Sequence, residues 1–297
     1  MDATSSRPLL DADFLRKLER LAIAAKRVQL GLAKGERRSK RKGSSVEFAD
    51  YRDYVQGDDL RFVDWNIYAR LDALYLKLFK EQEDLTVHLL IDASRSMGFG
   101  TPSKIEFACK LAAAIGYIAL IGYDRVCVEG FSGTDVQRMR PCRGRASVAK
   151  MFSFIESIEE EGGTNLEHAC RSYMLRNRAK GTAVIISDFF DQDGFEGCLR
   201  RLTMSGSDVY AIHVLAPEEI DPQLAGDLKL LDSETSGFVE ISASRALLKR
   251  YKDNRDGFCE AIRRFSVARG IGHFVVSSDT SIEELTLDML RKGGMLR

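Results

Sequence analysis

The stretch Thr86-Val-His-Leu-Leu-Ile-Asp92-Ala-Ser94-Arg-Ser96 decides the fold of this 297-residue chain. An apolar run with the character of a buried strand ends at Asp92, and two hydroxyl side chains, Ser94 and Ser96, follow on the next turn before a helical pattern begins. In open α/β sheets ligands bind at the carboxyl ends of the strands. Hard oxygen atoms gathered on one such loop suit a small hard cation such as Mg²⁺.

The rest of the chain continues this pattern, because strand-like and helix-like segments alternate from residue 86 to the C-terminus. The predicted strands are Thr86–Asp92, Arg125–Phe131, Thr182–Ser187, Val209–Leu215 and Ile271–Ser277, with a short edge strand at Val136–Met139 and a hairpin over 228–241. The predicted helices cover 104–121, 145–159, 165–179, 194–204, 244–268 and 281–291. Continuous apolar strands separated by helices predict an α/β fold with a doubly wound, mainly parallel sheet covered on both faces.

Composition limits the functions that the chain can have. Lys and Arg together number 44, as do Asp and Glu, so the formal net charge is zero and overall charge does not favour nucleic-acid binding. The six cysteines form no C-x-x-C pair, which predicts reduced, mostly buried thiols. Residues 111–122, the longest apolar stretch, are too few to span a bilayer, and we expect a cytoplasmic protein with no membrane span.

The N-terminal part of the chain has a different character. We assign residues 1–82 to a helical and extended arm and residues 83–297 to the α/β domain. The arm contains an amphipathic helical pattern over 11–32, a basic run over 34–43 and a strand-like alternation over 74–79. The basic run is either a solvated loop or a contact for an acidic partner or an anionic surface.

Two further oxygen donors are expected at the sheet edge that carries Asp92. Thr164 lies in a glycine-rich turn that opens a helix, and Asp188 ends an apolar strand as Asp92 does. The candidate metal ligands are therefore Asp92, Ser94, Ser96, Thr164 and Asp188. Each has an alternative role: Thr164 with Glu167 forms a helix-capping pattern, the serines suit a turn, and the carboxylates could anchor loop amides. Two carboxylates converging without a cation would repel each other, which favours the metal site.

This set of five residues resembles the metal-ion-dependent adhesion site of von Willebrand factor A-type domains. The resemblance implies that Ser94 and Ser96 bind Mg²⁺, or another hard divalent cation such as Mn²⁺ or Ca²⁺, directly. It implies that Thr164 binds directly or through water, and that Asp92 and Asp188 hold waters or hydroxyls around the ion. One coordination position is left for a carboxylate that a partner protein supplies.

A second resemblance concerns residues 46–70. The motifs Arg52-Asp-Tyr54, Gly57-Asp-Asp59, Val63-Asp-Trp65 and Ala69-Arg70 are similar to the signature of a bacterial family known as domain of unknown function 58. In that family the signature precedes an A-type domain, and the resemblance implies association with AAA+ ATPases of the MoxR type in chaperone-like or complex-maturation work.

These patterns predict a non-enzymatic, Mg²⁺-dependent protein-binding module. The sequence holds no Walker A motif, so nucleotide hydrolysis by the chain itself is not expected. The alternative is a metal-dependent hydrolase or phosphatase with His168 or Asp191 as the base. His168 is the histidine best placed to approach the metal, because it follows Thr164 by one helical turn.

Overall fold

The computed structural model describes residues 9–21, 23, 47–80, 85–176, 181–223, 226–231 and 238–296. It contains two compact units, one formed by Met1–Ala25 with Leu85–Arg297 and a smaller one formed by Lys26–Asp84. The predicted basic run over 34–43 and the turn at Ser236-Gly237 lie outside the described residues.

Each predicted strand is present, and the structure adds two strands, the first and the sixth, that the sequence does not predict. The strands are β1 (Glu47–Asp53), β2 (Tyr75–Lys80), β3 (Thr86–Asp92), β4 (Arg125–Ser132), β5 (Asp135–Arg138), β6 (Cys142–Arg143), β7 (Gly181–Ser187), β8 (Asp208–Leu215), β9 (Gly226–Leu231), β10 (Phe238–Ala243) and β11 (Gly272–Ser277). The predicted edge strand corresponds to β5, and the predicted hairpin corresponds to the antiparallel pair β9 and β10.

The central sheet has seven strands in the order β11-β8-β7-β3-β4-β5, with β6 also paired to β4. Strands β11, β8, β7, β3 and β4 are parallel, whereas the short β5 and β6 run antiparallel to β4. Every residue of β3 is buried, as expected for a central parallel strand covered on both faces. The order reverses direction around β3, so the carboxyl ends of β3 and β7 form the crevice in which doubly wound proteins bind ligands.

Helices cover both faces of this sheet. They are α1 (Ala12–Leu18), α2 (Trp65–Leu71), α3 (Lys104–Ile121), α4 (Val148–Glu156), α5 (Leu166–Arg176), α6 (Glu196–Met204), α7 (Pro217–Ile220), α8 (Arg245–Val267), α9 (Ile282–Glu284) and α10 (Leu290–Lys292), with a π-helical stretch Leu285–Met289 joining the last two. One apolar cluster packs α1, α3 and α4 on one sheet face, and a second packs α5, α6 and α8 on the other. The predicted doubly wound α/β fold is confirmed.

The first helix is shorter than its sequence pattern suggests. Of the predicted pattern over 11–32, the structure describes residues 11–21 and 23: the helix covers Ala12–Leu18, and Ile23 forms an isolated bridge with Leu296. This helix belongs to the larger unit, where Tyr117 on α3 donates a hydrogen bond of 2.9 Å to Glu19.

The smaller unit is built by the signature residues themselves. Strands β1 and β2 pair antiparallel, so the predicted strand over 74–79 finds its partner in Glu47–Asp53. Arg52 binds both carboxylate oxygens of Asp58 at 2.8 Å, and Asp64 caps α2 by accepting the N–H of Asn66 at 2.9 Å. Within this unit the signature therefore acts as an ion-pair and capping network, the structural role that its charge pattern indicates.

Cysteine pairing departs from the prediction of reduced thiols. Cys170 on α5 and Cys198 on α6 form a disulfide with 5.3 Å between their Cα atoms, so the prediction was wrong for this pair. The four free cysteines are Cys109, Cys127, Cys142 and Cys259. The pair is 28 residues apart and meets only because α5 and α6 pack side by side on the sheet, which no sequence spacing reveals.

In the part of the chain that the structure describes, every helix is too short or too polar to cross a bilayer.

Candidate functional site

The first corner of the site is the turn that follows β3. The Asp92 side chain is fully buried at the end of the strand. Its Oδ1 atom accepts the N–H of Ser94 at 3.0 Å, and its Oδ2 atom accepts the Ser187 hydroxyl at 2.5 Å. Because Ser187 ends β7, this bond ties the carboxyl ends of two adjacent parallel strands together.

The second corner follows β7 and repeats one hydrogen bond of the first, from the backbone N–H two residues further on to the carboxylate. Asp188 is fully buried, and its Oδ1 atom accepts the N–H of Phe190 at 3.1 Å. Between them Phe189 has a φ of 59°, the left-handed conformation that costs a residue with a side chain roughly 1–2 kcal/mol. Its ring is fully buried against His213, and this packing holds the strained turn.

The two corners meet through the serine hydroxyls. Ser96 donates a hydrogen bond from Oγ to Oδ2 of Asp188 at 2.8 Å, and the Oγ atoms of Ser94 and Ser96 are 3.1 Å apart. Four of the five predicted ligand residues, Asp92, Ser94, Ser96 and Asp188, therefore lie in one hydrogen-bonded cluster.

A third loop, which carries Thr164, is fastened to the first corner by its backbone. Arg95 donates its N–H to the carbonyl of Gly162 at 3.1 Å, and Glu161 donates to the carbonyl of Ala93 at 2.9 Å. Gly162 has a φ of 65°, which a glycine adopts without strain. At the start of α5 the Oδ1 atom of Asn165 accepts the N–H of His168 at 2.8 Å. The part of Thr164 as a metal ligand stays a prediction.

Sequence analysis missed two charged residues of the site, Lys104 and Glu219. The Lys104 side chain is 1% exposed, and its Nζ atom lies 2.7 Å from Oδ2 of Asp188 and 2.7 Å from Oε1 of Glu219. Burial lowers the pKa of the Lys104 ammonium, but the two carboxylates outweigh it, so the pKa is raised and the ammonium stays charged. One signal was available: Lys104 is the first residue of α3, where the helix dipole disfavours a cation unless acids face it.

The charges of the cluster do not balance. Burial, and then the charge of Asp188, raises the pKa of Asp92 to about 7, despite the opposing bonds from Ser187 and Ser94. When Asp92, Asp188 and Glu219 are ionised, the single ammonium of Lys104 leaves a formal charge of minus two. One divalent cation would cancel that charge.

The donor set also fits a small hard cation. Adjacent oxygen ligands of an octahedral Mg²⁺ at about 2.1 Å lie about 3 Å apart, and the Ser94 and Ser96 oxygens have that spacing at 3.1 Å. The described residues bring no group of three or more His, Cys, Asp or Glu side chains together as a metal cluster. Metal binding here would therefore depend on the serine hydroxyls as well as on carboxylates.

Asp191, one of the two residues proposed as the base of a hydrolase, has another role in the structure. Asp191 accepts the N–H of Leu166 at 2.7 Å through one carboxylate oxygen and the N–H of Asp193 at 2.9 Å through the other. It thus holds the start of α5 and its own loop. Nothing in the geometry supports the hydrolase alternative.

The sheet, with its hydroxyl- and carboxylate-bearing edge, defines a doubly wound α/β domain. The chain belongs to the family described as "Protein of unknown function DUF58", whose sequence model matches residues 50–257. Uncharacterized proteins of Mycobacterium bovis and Mycobacterium tuberculosis are each 30% identical to it over 268 residues, which is 88% of this chain and 82% of theirs. The predicted family is confirmed.

Solved structures similar to this chain include two A-type domains and a membrane protein. A von Willebrand factor type A protein from Catenulispora acidiphila is 12% identical, over 73% of this chain and 43% of that one, with a TM-score of 0.41. The SpRpn10 VWA domain is 12% identical, over 70% and 95%, also with a TM-score of 0.41. An aerotolerance-related membrane protein from Bacteroides fragilis is 17% identical, over 70% and 99%, with a TM-score of 0.42.

Proposed function

We propose that this protein is a non-enzymatic protein-binding module whose binding depends on a divalent cation. Ser94 and Ser96 would hold the cation, Asp92 and Asp188 would orient hydroxyls or waters around it, and Thr164 would complete the set. The ion is Mg²⁺, or Mn²⁺ or Ca²⁺, since all three prefer oxygen ligands.

One observation supports this proposal above the others. Two fully buried carboxylates end adjacent parallel strands, and the hydroxyl of Ser96 is held against one of them, 3.1 Å from the hydroxyl of Ser94. Burying carboxylates without enough positive charge is unfavourable, and the pKa of Asp92, raised to about 7, expresses that cost. A bound cation would remove it.

The partner would supply a carboxylate to the last coordination position of the cation. The family resemblance makes an AAA+ ATPase of the MoxR type the first partner to test, in chaperone-like or complex-maturation work. A cytoplasmic location stays a prediction.

Metal binding is tested first, by titrating Mg²⁺ and Mn²⁺ into the metal-free full chain in a calorimeter. We expect saturable binding in the wild type, loss of it in Ser94→Ala, and no change in Ser157→Ala, which removes an exposed hydroxyl from the end of α4. At a hundred times its Kd the cation should raise the free energy of unfolding by about 2.7 kcal/mol.

Partner binding is tested second, with a purified MoxR-type ATPase from the same organism. Binding should require Mg²⁺, disappear with EDTA, return when Mg²⁺ is restored and be absent in Ser94→Ala. Equal binding with and without EDTA would contradict the proposal, as would a wild-type chain that takes up no cation.

A further inference from the structure

Lys104 stands out among the basic residues that the structure describes, because its side chain is almost completely buried at the candidate cation site. Its Nζ atom contacts Asp188 and Glu219 at 2.7 Å each, and the ring of Phe190 covers it with 5.5 Å from Nζ to the ring centroid. The charged side chain is thus shielded from solvent. Electrostatic interactions at such a buried site are screened only weakly.

The ammonium shares an oxygen atom with the candidate ligand loop. Oδ2 of Asp188 accepts both Nζ of Lys104 and Oγ of Ser96. A cation held by Ser96 would therefore sit within a few ångströms of a fixed positive charge. Glu219 also binds the ammonium, through Oε1, and its Oε2 atom accepts the N–H of Ala216 at 2.7 Å.

We propose that Lys104 is an internal counter-ion of this site, which keeps the metal-free form folded and lowers the affinity of the site for a divalent cation. Glu219 sets the strength of this effect by neutralising part of the ammonium charge. The inference rests on the proposed function, since it concerns the same cation site.

Removing the charge of Lys104 and removing the charge of Glu219 should have opposite effects on the affinity for a divalent cation. Removing the ammonium leaves the site more negative, so divalent cations should bind roughly tenfold or more tightly, given the strength of charge interactions over a few ångströms at a partly buried site. Removing the Glu219 carboxylate leaves Lys104 less neutralised, so cations should bind more weakly. A purely structural role for either residue would weaken binding in both variants.

The test measures Mg²⁺ and Mn²⁺ binding by calorimetry in the full chain. Four proteins are compared with the wild type: Lys104→Met, Glu219→Gln, the double variant, and Lys110→Met as the control. Lys110 lies on the same helix, but it is partly exposed and pairs with Glu106 away from the site. Thermal melting in EDTA and in 10 mM Mg²⁺ accompanies each titration.

We expect tighter binding in Lys104→Met, weaker binding in Glu219→Gln, a return toward wild-type affinity in the double variant, and no change in Lys110→Met. Lys104→Met should melt at a lower temperature than the wild type in EDTA and gain more from Mg²⁺. If Lys104→Met does not fold, Glu219→Gln, which keeps its backbone anchor through one oxygen, still exposes the inference to refutation, because unchanged or tighter cation binding in that variant would overturn it.

Unchanged affinity in both single variants, or weaker binding in both, would overturn the inference while leaving the cation site itself intact. Binding in Lys104→Met with none in the wild type would support the inference and refute native cation dependence. No binding in any of the proteins would refute both.

Discussion

The corners that end β3 and β7 share one hydrogen-bond pattern, but only the carboxylate after β7 is paired with a positively charged side chain of the protein. Asp92 and Asp188 are both fully buried, and each accepts the backbone N–H two residues further along the chain. Asp188 also contacts the ammonium of Lys104, whereas Asp92 is held by the neutral donors of Ser94 and Ser187.

This difference shows that the position of the two carboxylates and the neutralisation of their charge have separate causes. Parallel strands with similar turns bring both carboxylates to one edge of the sheet. The backbone cannot neutralise them, and at the first corner, where the donors are neutral, the pKa of Asp92 is raised to about 7. The Asp92 corner is therefore where a bound divalent cation would have the larger effect on stability.

The largest expected effect comes from making the same change at both corners. In EDTA at pH 8, Asp188→Asn should lower the free energy of unfolding by about 3 kcal/mol, the low end of the cost of breaking a buried ion pair, because Glu219 still faces Lys104. Asp92→Asn should leave it equal to or above the wild-type value. The raised pKa means that ionised Asp92 opposes folding, and at pH 8 that penalty is complete.

Urea denaturation of both variants measures the difference. Equal losses at the two corners would show that hydrogen bonding, and not the missing counter-charge, dominates at Asp92. In saturating Mg²⁺ the advantage of Asp92→Asn should disappear, because the wild-type carboxylate would then have its cation.

The sequence was sufficient to predict the frame of this site. Continuous Val, Ile and Leu runs located β3 and β7 within one residue of their observed bounds, and alternation with helices predicted the parallel sheet. Strand ends in such a sheet share one edge, so the meeting of Asp92, Ser96 and Asp188 followed from their positions after strands. The pairing of β2 with β1 was not predictable, because the alternation in β2 gives no partner.

The charge balance was not predicted, because it depends on residues that are distant in sequence. Lys104 and Glu219 are 115 positions apart and meet only when α3 and α7 reach the same edge of the sheet. A lysine at the first position of a largely buried helix was the available clue. No sequence pattern marked Glu219, which lies in a four-residue helix that hydrophobic periodicity cannot detect.

A smaller effect is expected from His88, which is buried in β3 like Asp92 but is a base and not an acid. Burial, and then the charge of Arg138, lowers the pKa of His88 to about 4. Above the unfolded pKa of about 6.5, His88 is neutral in both states and does not reduce the free energy of unfolding. As the pH falls toward 4, the unfolded state takes up a proton that the folded state does not, and the free energy of unfolding falls. His88→Phe should therefore reduce the loss of unfolding free energy between pH 7 and pH 5 by about 2 kcal/mol.

Chemical denaturation at both pH values, in EDTA, provides this measurement. Protonation of Asp92 changes the free energy of unfolding with pH in the opposite direction, but it does so in both proteins and cancels in the comparison. Parallel stability curves for the wild type and His88→Phe would mean that His88 takes up a proton in the folded state as readily as in the unfolded state.

The smallest expected effect comes from removing one hydroxyl donor at each corner. Ser187→Ala removes the hydroxyl bond to Oδ2 of Asp92 and the acceptor for the N–H of Phe189, whereas Ser96→Ala leaves Asp188 with its ammonium. In EDTA we expect a loss of about 2 kcal/mol for Ser187→Ala and about 1 kcal/mol for Ser96→Ala, since hydrogen bonds to a charged group with no other counter-charge are the costlier ones to lose. Urea denaturation of the two variants at pH 8 measures the difference, and a larger loss in Ser96→Ala would contradict the view that Asp92 is the less neutralised corner. In Mg²⁺ the order should reverse, because Ser96 is a proposed ligand of the cation and Ser187 is not.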